Sequence, residues 1–363
     1  MKGILGAVLA LMLALPAMAQ QAPRYQVDAA WPKALPNHWG IGQAAGVATD
    51  AQDHIWVIHR PRTMTEDERG AALTPPRADC CVPAPPVIEF DQAGNVVQAW
   101  GGPQHHPSWP ENEHGIYIDP QGFVWIGGNG NNDHVLLKFT RDGRFVLQIG
   151  IKGETGGSND TQRLGRPAGI EVDAAAHEVY VADGYQNRRV IVFDSETGAY
   201  KRHWGAYGNR PNDDALPAYR PGQPPAQGFR NPVHCVRLAR DGLVYVCDRA
   251  NDRVQVFHHD GSFVREFIVA PDTLGSGSVW DIALLPDRLQ SFLLTADGGN
   301  NHVRLLHRPD GVERGQFGRN GRNAGQFHWV HNIAVDSHGN IYTTEVDTGK
   351  RAQRFRLVSP LAR

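Results

Sequence analysis

One phrase recurs six times along this 363-residue chain, and that repetition limits the possible folds more than any other feature. An apolar strand ends in Asp, a turn with Gly follows, then a second strand, a polar link rich in Asn and Arg, and a third strand. It reads G-I-Y-I-D-P-Q-G-F-V-W-I-G-G from Gly115 and G-I-E-V-D-A-A-A-H-E-V-Y-V-A-D-G-Y-Q-N-R-R-V-I-V-F-D from Gly169. It returns from His234 and His331, with weaker copies from Gly46 and Trp280. Most copies continue into a fourth strand closing on Trp100-Gly101, Ile149-Gly150, Trp204-Gly205 or Phe317-Gly318. Short strands of alternating polarity joined by Asp-Gly and Gly-Asn turns are antiparallel. Repeated radially, they leave few exposed edges. The expected fold is therefore all-β, a six-bladed propeller of four-stranded antiparallel blades. The sixth copy has only three strands, so Tyr25 to Ala29 is expected to supply its outer strand and close the ring. A long insert, Thr63 to Pro86, falls at the predicted channel mouth.

The chain opens with Lys2, an apolar run from Ile4 to Leu15 and the small-residue site Ala17-Met18-Ala19. This predicts a cleavable leader over 1–19, a propeller over 20–363 and a periplasmic or secreted location. A formal charge of −2 argues against a nucleic-acid groove or a polybasic membrane patch. No membrane insertion is expected, and a monomer is. Four cysteines in an oxidising compartment permit two disulfides. Cys235 and Cys247 lie equally far from Asp241 at the centre of a turn and should face each other across two strands. They form either a disulfide or a pair of buried thiols. For the adjacent Cys80 and Cys81 a vicinal disulfide is favoured over a soft-metal site or an interchain link.

Aligning the six copies on the residue before the first strand's apolar core gives Ala45, His114, Ala168, His234, Trp280 and His331. Every even blade carries His and no odd blade does. First strands line a propeller's channel, so one phase corresponds to one depth, and alternate blades bring three imidazoles towards the axis. Three histidines with an open fourth position describe a reactive metal site, with zinc favoured by ligand type, although copper or iron would also accept them. The second strands end at the same rim with Arg60 on blade 1, Arg249 on blade 4 and Tyr185 on blade 3. Above a metal these would form an anion clamp and an acid/base group.

The repeat phrasing, especially V-Y-V-A-D-G-Y-Q-N-R-R-V-I-V-F and V-Y-V-C-D-R-A-N-D-R-V-Q-V-F, resembles NHL repeats. The segments Glu113-His114-Gly115, Val233-His234-Cys235, Val330-His331-Asn332, Ile58-His59-Arg60, Asp183-Gly184-Tyr185 and Asp248-Arg249-Ala250-Asn251 narrow the resemblance to the peptidyl-α-hydroxyglycine α-amidating lyases. That resemblance implies zinc on His114, His234 and His331. It makes Tyr185 the base and Arg60 and Arg249 the holders of a small-molecule or peptide substrate's carboxylate. The reaction would cleave an N-acyl-α-hydroxyglycine to an amide and glyoxylate. A structural calcium is also implied, on the carbonyls of Val47 and Ile116 and the side chain of Asn332. The family's aspartate is here the neutral Asn332, which weakens the site. Gln186 replaces a family cysteine, and the prolines preceding the histidines are missing. Two alternatives remain: a non-catalytic NHL propeller binding a peptide or glycan, and a calcium-dependent lactonase-like hydrolase. The latter's site would draw oxygen ligands to the channel rather than imidazole.

Overall fold

The structure, a computed structural model, describes residues 21–359, so the predicted leader over 1–19 lies outside the described residues. Six four-stranded antiparallel sheets stand around a central channel. Blade 1 runs Gln43–Thr49, Ile55–Arg60, Val87–Phe90, Val96–Trp100, and the next four blades repeat the order with the first strand innermost. In blade 6, Val330–Val335, Ile341–Glu345 and Arg351–Leu357 are completed from the other end of the chain. Tyr25–Asp28 pairs antiparallel with the last strand, Tyr25 opposite Leu357 and Asp28 opposite Arg354. The ring closes as predicted, with this strand one residue shorter.

Each blade packs both faces against neighbours, so the middle strands are buried throughout, as in Val135–Phe139 and Glu178–Asp183. Outer strands such as Phe145–Gly150 are largely exposed at their starts. The core therefore lies between blades. Ile58 and Val87 of blade 1, for example, meet Ile116, Ile126 and Leu137 of blade 2.

Two features of the repeated phrase have direct structural causes. The Asp ending the first strand holds the hairpin turn together. Asp119 accepts from the backbone N–H of Gln121 and Phe123 and from the Trp125 indole, and Asp336 accepts from the corresponding Tyr342 hydroxyl. The Asp ending the second strand gathers the polar link. Asp183 accepts from Asn187 and Arg189, Asp248 from Asn251 and Arg253, and Asp297 from Asn300 and Arg304. These buried charges are paired and hydrogen-bonded, which is the condition for keeping them in a core.

The 63–86 insert leaves blade 1 between its second and third strands. It is entered through a 3-10 turn at Pro61–Thr63, holds a second at Gly70–Ala72, and pairs Val82–Pro83 in parallel with Trp39–Gly40. Both cysteine pairs are disulfides: Cys80–Cys81 in the insert, and Cys235–Cys247 between directly opposed residues of blade 4. Two disulfides fit an oxidising compartment. Among the described residues, no helix is long and apolar enough to cross a membrane.

Candidate metal centre in the channel

His114, His234 and His331 occupy the first strands of blades 2, 4 and 6, each where the register with the second strand shifts. Such irregularities re-aim a side chain out of the regular alternation. Here all three rings turn to the axis. They are buried, their centroids lie 4.7–5.0 Å apart, and their ring nitrogens come within 4.8 Å of one another.

The odd blades explain the alternation. His114 Nδ1–H donates to the Ala168 carbonyl at 3.2 Å, His331 to Ala45 at 2.6 Å, and His234 to Trp280. Ala45, Ala168 and Trp280 are the odd-blade residues of the same phase. Each even blade therefore supplies an imidazole, and the following blade supplies the carbonyl that orients it. A carbonyl only accepts, so Nδ1 carries the proton and every Nε2 presents a lone pair. Orienting ligand histidines through the far nitrogen is how metal sites are held.

Tyr185 Oη lies 3.0 Å from Nε2 of both His114 and His234. One hydroxyl proton cannot serve two acceptors, so a lone pair is left over at the axis, as a cation site requires. Gly184 makes this placement possible, since a Cβ there would sit 2.0 Å from the Val233 carbonyl, one residue before His234.

The two arginines are held differently. Arg60 is buried and tied down, Nε to the Glu113 carbonyl at 2.8 Å and Nη1 to Gln43 at 2.7 Å, with Nη2 facing Asn129 at 3.4 Å. Arg249 stacks 4.4 Å over the Trp280 ring, reaches Tyr185 Oη at 3.5 Å, and keeps a buried Nε without a partner. A buried N–H without an acceptor is costly and marks where an anion fits. The sequence reading assigned no role to Trp280, Gln43 or Asn129. Trp280 already stood in the histidine phase, and its place as the one aromatic there was the available signal.

Burial depresses all three imidazoles, aided at each by the charge of Arg249, at His114 and His331 by that of Arg60, and at His114 and His234 by the neighbouring histidines. His331 falls to about 3, and His59, buried behind Arg60, to about 4. In the unfolded chain these rings would take protons near 6.5. Acid below that value is thus bound by the unfolded state and refused by the folded one. The Tm of chelator-treated protein is expected to hold above pH 6.5 and fall steadily towards pH 4. A profile flat from pH 7 to 5 would contradict this.

Asp50, His54 and Glu89 also cluster, but the Arg141 guanidinium already sits among them and pairs with both carboxylates.

No protein-family model matches the chain. Peptidyl-glycine alpha-amidating monooxygenase B of Xenopus laevis is 27% identical over 237 residues, 62% of this chain and 24% of that protein. NHL repeat-containing protein 3 of Mus musculus is 26% identical over 66% of this chain and 58% of that one. A probable peptidyl-alpha-hydroxyglycine alpha-amidating lyase of Caenorhabditis elegans is 25% identical over 60% of this chain and 56% of its own length. The match thus spans about a quarter of the amphibian protein and just over half of the other two. A streptogramin B lyase structure superposes with a TM-score of 0.51 at 11% identity, covering 92% of this chain and 98% of that one, and shares the fold. By repeat, blade and relatives alike, the chain is a six-bladed β-propeller similar to NHL repeat-containing protein 3 and to the peptidyl-α-hydroxyglycine α-amidating lyases.

Proposed function

We propose that this propeller is a metal-dependent carbon–nitrogen lyase that splits an N-acyl- or peptidyl-α-hydroxyglycine into an amide and glyoxylate. The observation carrying this reading is the convergence of three Nε2 lone pairs on a point that Tyr185 Oη also reaches, beside the unpartnered Nε of Arg249. The worm relative bears the name of this reaction.

A divalent metal, with zinc favoured, held by His114, His234 and His331 would supply Lewis acidity at the substrate hydroxyl. The chain's own groups do the rest. Arg249, stacked on Trp280, receives the substrate carboxylate and sets the hydroxyl over the axis. Arg60 adds positive charge from blade 1, held in place by Gln43 and the Glu113 carbonyl. Tyr185, acting as its phenolate, takes the hydroxyl proton. As it leaves, the C=O of glyoxylate forms, the C–N bond breaks, and the amide nitrogen takes up a proton. Release of glyoxylate from N-acyl-α-hydroxyglycines by the metal-loaded protein tests this reading. No release above the spontaneous rate, with metal bound, would leave a binding propeller as the better account.

A groove of about 700 Å3 is lined by Pro61 and Glu113, the chain neighbours of Arg60 and His114, and by Trp39, Trp109 and the insert's Pro83 and Pro85, and we assign the acyl arm to it. This volume and apolar lining suit a drug-sized hydrophobic group. Trp39→Ala is expected to raise KM for long-chain or aromatic acyl substrates about 10-fold while leaving N-acetyl substrates nearly unchanged. Equal effects on both would place the arm elsewhere.

A further inference from the structure

Two residues beyond the histidine phase, the first strands bring a second ring towards the axis: Val47, Ile116, Ile170, Val236, Ile282 and Ile333. The carbonyls of Val47 and Ile116, with Asn332, are the calcium ligands implied by the resemblance. They do not fit that ion. Asn332 carries no charge, and its Oδ1 already accepts the Val47 N–H at 2.8 Å.

The opposite side of the ring is held by a guanidinium. Arg237, three residues after His234, is drawn into the channel. Nε donates to the Ile282 carbonyl at 2.9 Å, and Nη1 donates to Val236 at 2.9 Å and faces Ile170 at 3.5 Å. Nη2 donates to both Asp281 oxygens at 2.9 and 3.0 Å, and Nη1 lies 3.7 Å from Glu171. Asp281 in turn accepts the Ile333 N–H at 3.0 Å, which carries the network to blade 6. Although burial works against the charge, the two carboxylates more than offset it and hold the guanidinium above its ordinary range. Three carbonyls and a carboxylate around one positive group are the kind of hard-oxygen set a calcium ion would recruit. A divalent ion on the remaining carbonyls would share the ring with a fixed cation and would have no carboxylate on its own side.

We propose that Arg237 is the axial structural cation of this propeller, so that blades 3, 4 and 5 are tied at the channel by a guanidinium and the fold does not depend on calcium. The proposal is independent of the lyase reading, because its test reads stability and metal content rather than turnover.

The test uses the full-length zinc-loaded protein, dialysed free of calcium, with calcium chloride as the probe. The wild type is expected to retain less than about 0.1 calcium per chain, with Tm unmoved by millimolar calcium. Stoichiometric calcium, or a rise of several degrees, overturns the proposal. Arg237→Gln removes one partner of a buried pair and is expected to lower Tm by about 5 °C or more. If that variant does not fold, Arg237→Lys takes its place, with a smaller fall because the fork is lost and the charge kept. An unchanged Tm in whichever variant folds overturns the proposal as well.

Discussion

Replacing His234 by alanine is expected to cut bound transition metal from about one per chain to below a tenth and glyoxylate release by at least ~10^3-fold. Two imidazoles cannot hold a divalent ion as three do, and His234 is one of the two that Tyr185 touches, so ligand and base are disturbed together. The fold should survive. His234 lies at the channel, outside the cores between blades, and Cys235, next to it, remains anchored to Cys247. Elemental analysis of both proteins from one metal-supplemented preparation, with Tm as the folding control, reads the result. Equal metal in the two would remove the histidines as ligands. Metal lost without loss of turnover would separate the site from the reaction.

Tyr185→Phe should keep the metal and lose the chemistry. Only the hydroxyl is deleted, and the Nδ1 bonds of the three histidines to Ala45, Ala168 and Trp280 are untouched. If Tyr185 takes the substrate proton, kcat should fall about 10^2- to 10^4-fold with KM little changed. Arg249→Ala makes the complementary test. It removes the guanidinium at the site that keeps a spare buried N–H, so the loss should appear mainly in KM for carboxylated substrates and be smaller for their esters. A Tyr185→Phe enzyme with wild-type kcat would assign the proton to another group. Equal losses on acid and ester in Arg249→Ala would make that arginine a packing element against Trp280 rather than an anion holder.

Much of this is legible in the sequence alone, because a propeller turns chain period into position. Six copies of one phrase imply six blades, and the Asp residues recurring within it bond the turn and the polar link wherever they recur. The alternation of His with Ala or Trp in a single phase reads as one depth in the channel. The opposed spacing of Cys235 and Cys247 about Asp241 reads as a cross-strand pair. The missing strand of blade 6 was likewise written in its length, and Tyr25–Asp28 fills it.

What the sequence could not carry is how neighbouring blades meet at the axis. Ala45 and Ala168 look inert in the primary structure, yet their carbonyls orient two of the histidines, and a backbone oxygen leaves no residue-type signature. Arg60 and Arg249 share a motif position but differ in freedom, because Gln43, Glu113 and Asn129 claim one while the Trp280 ring supports the other. Arg237 reads as an ordinary strand arginine until the carbonyls of blades 3, 4 and 5 converge on it. Repeat period sets angle and depth. Rotamers, hydrogen-bond partners and buried charge at the axis depend on segments far apart in the chain, and only the closed ring brings them together.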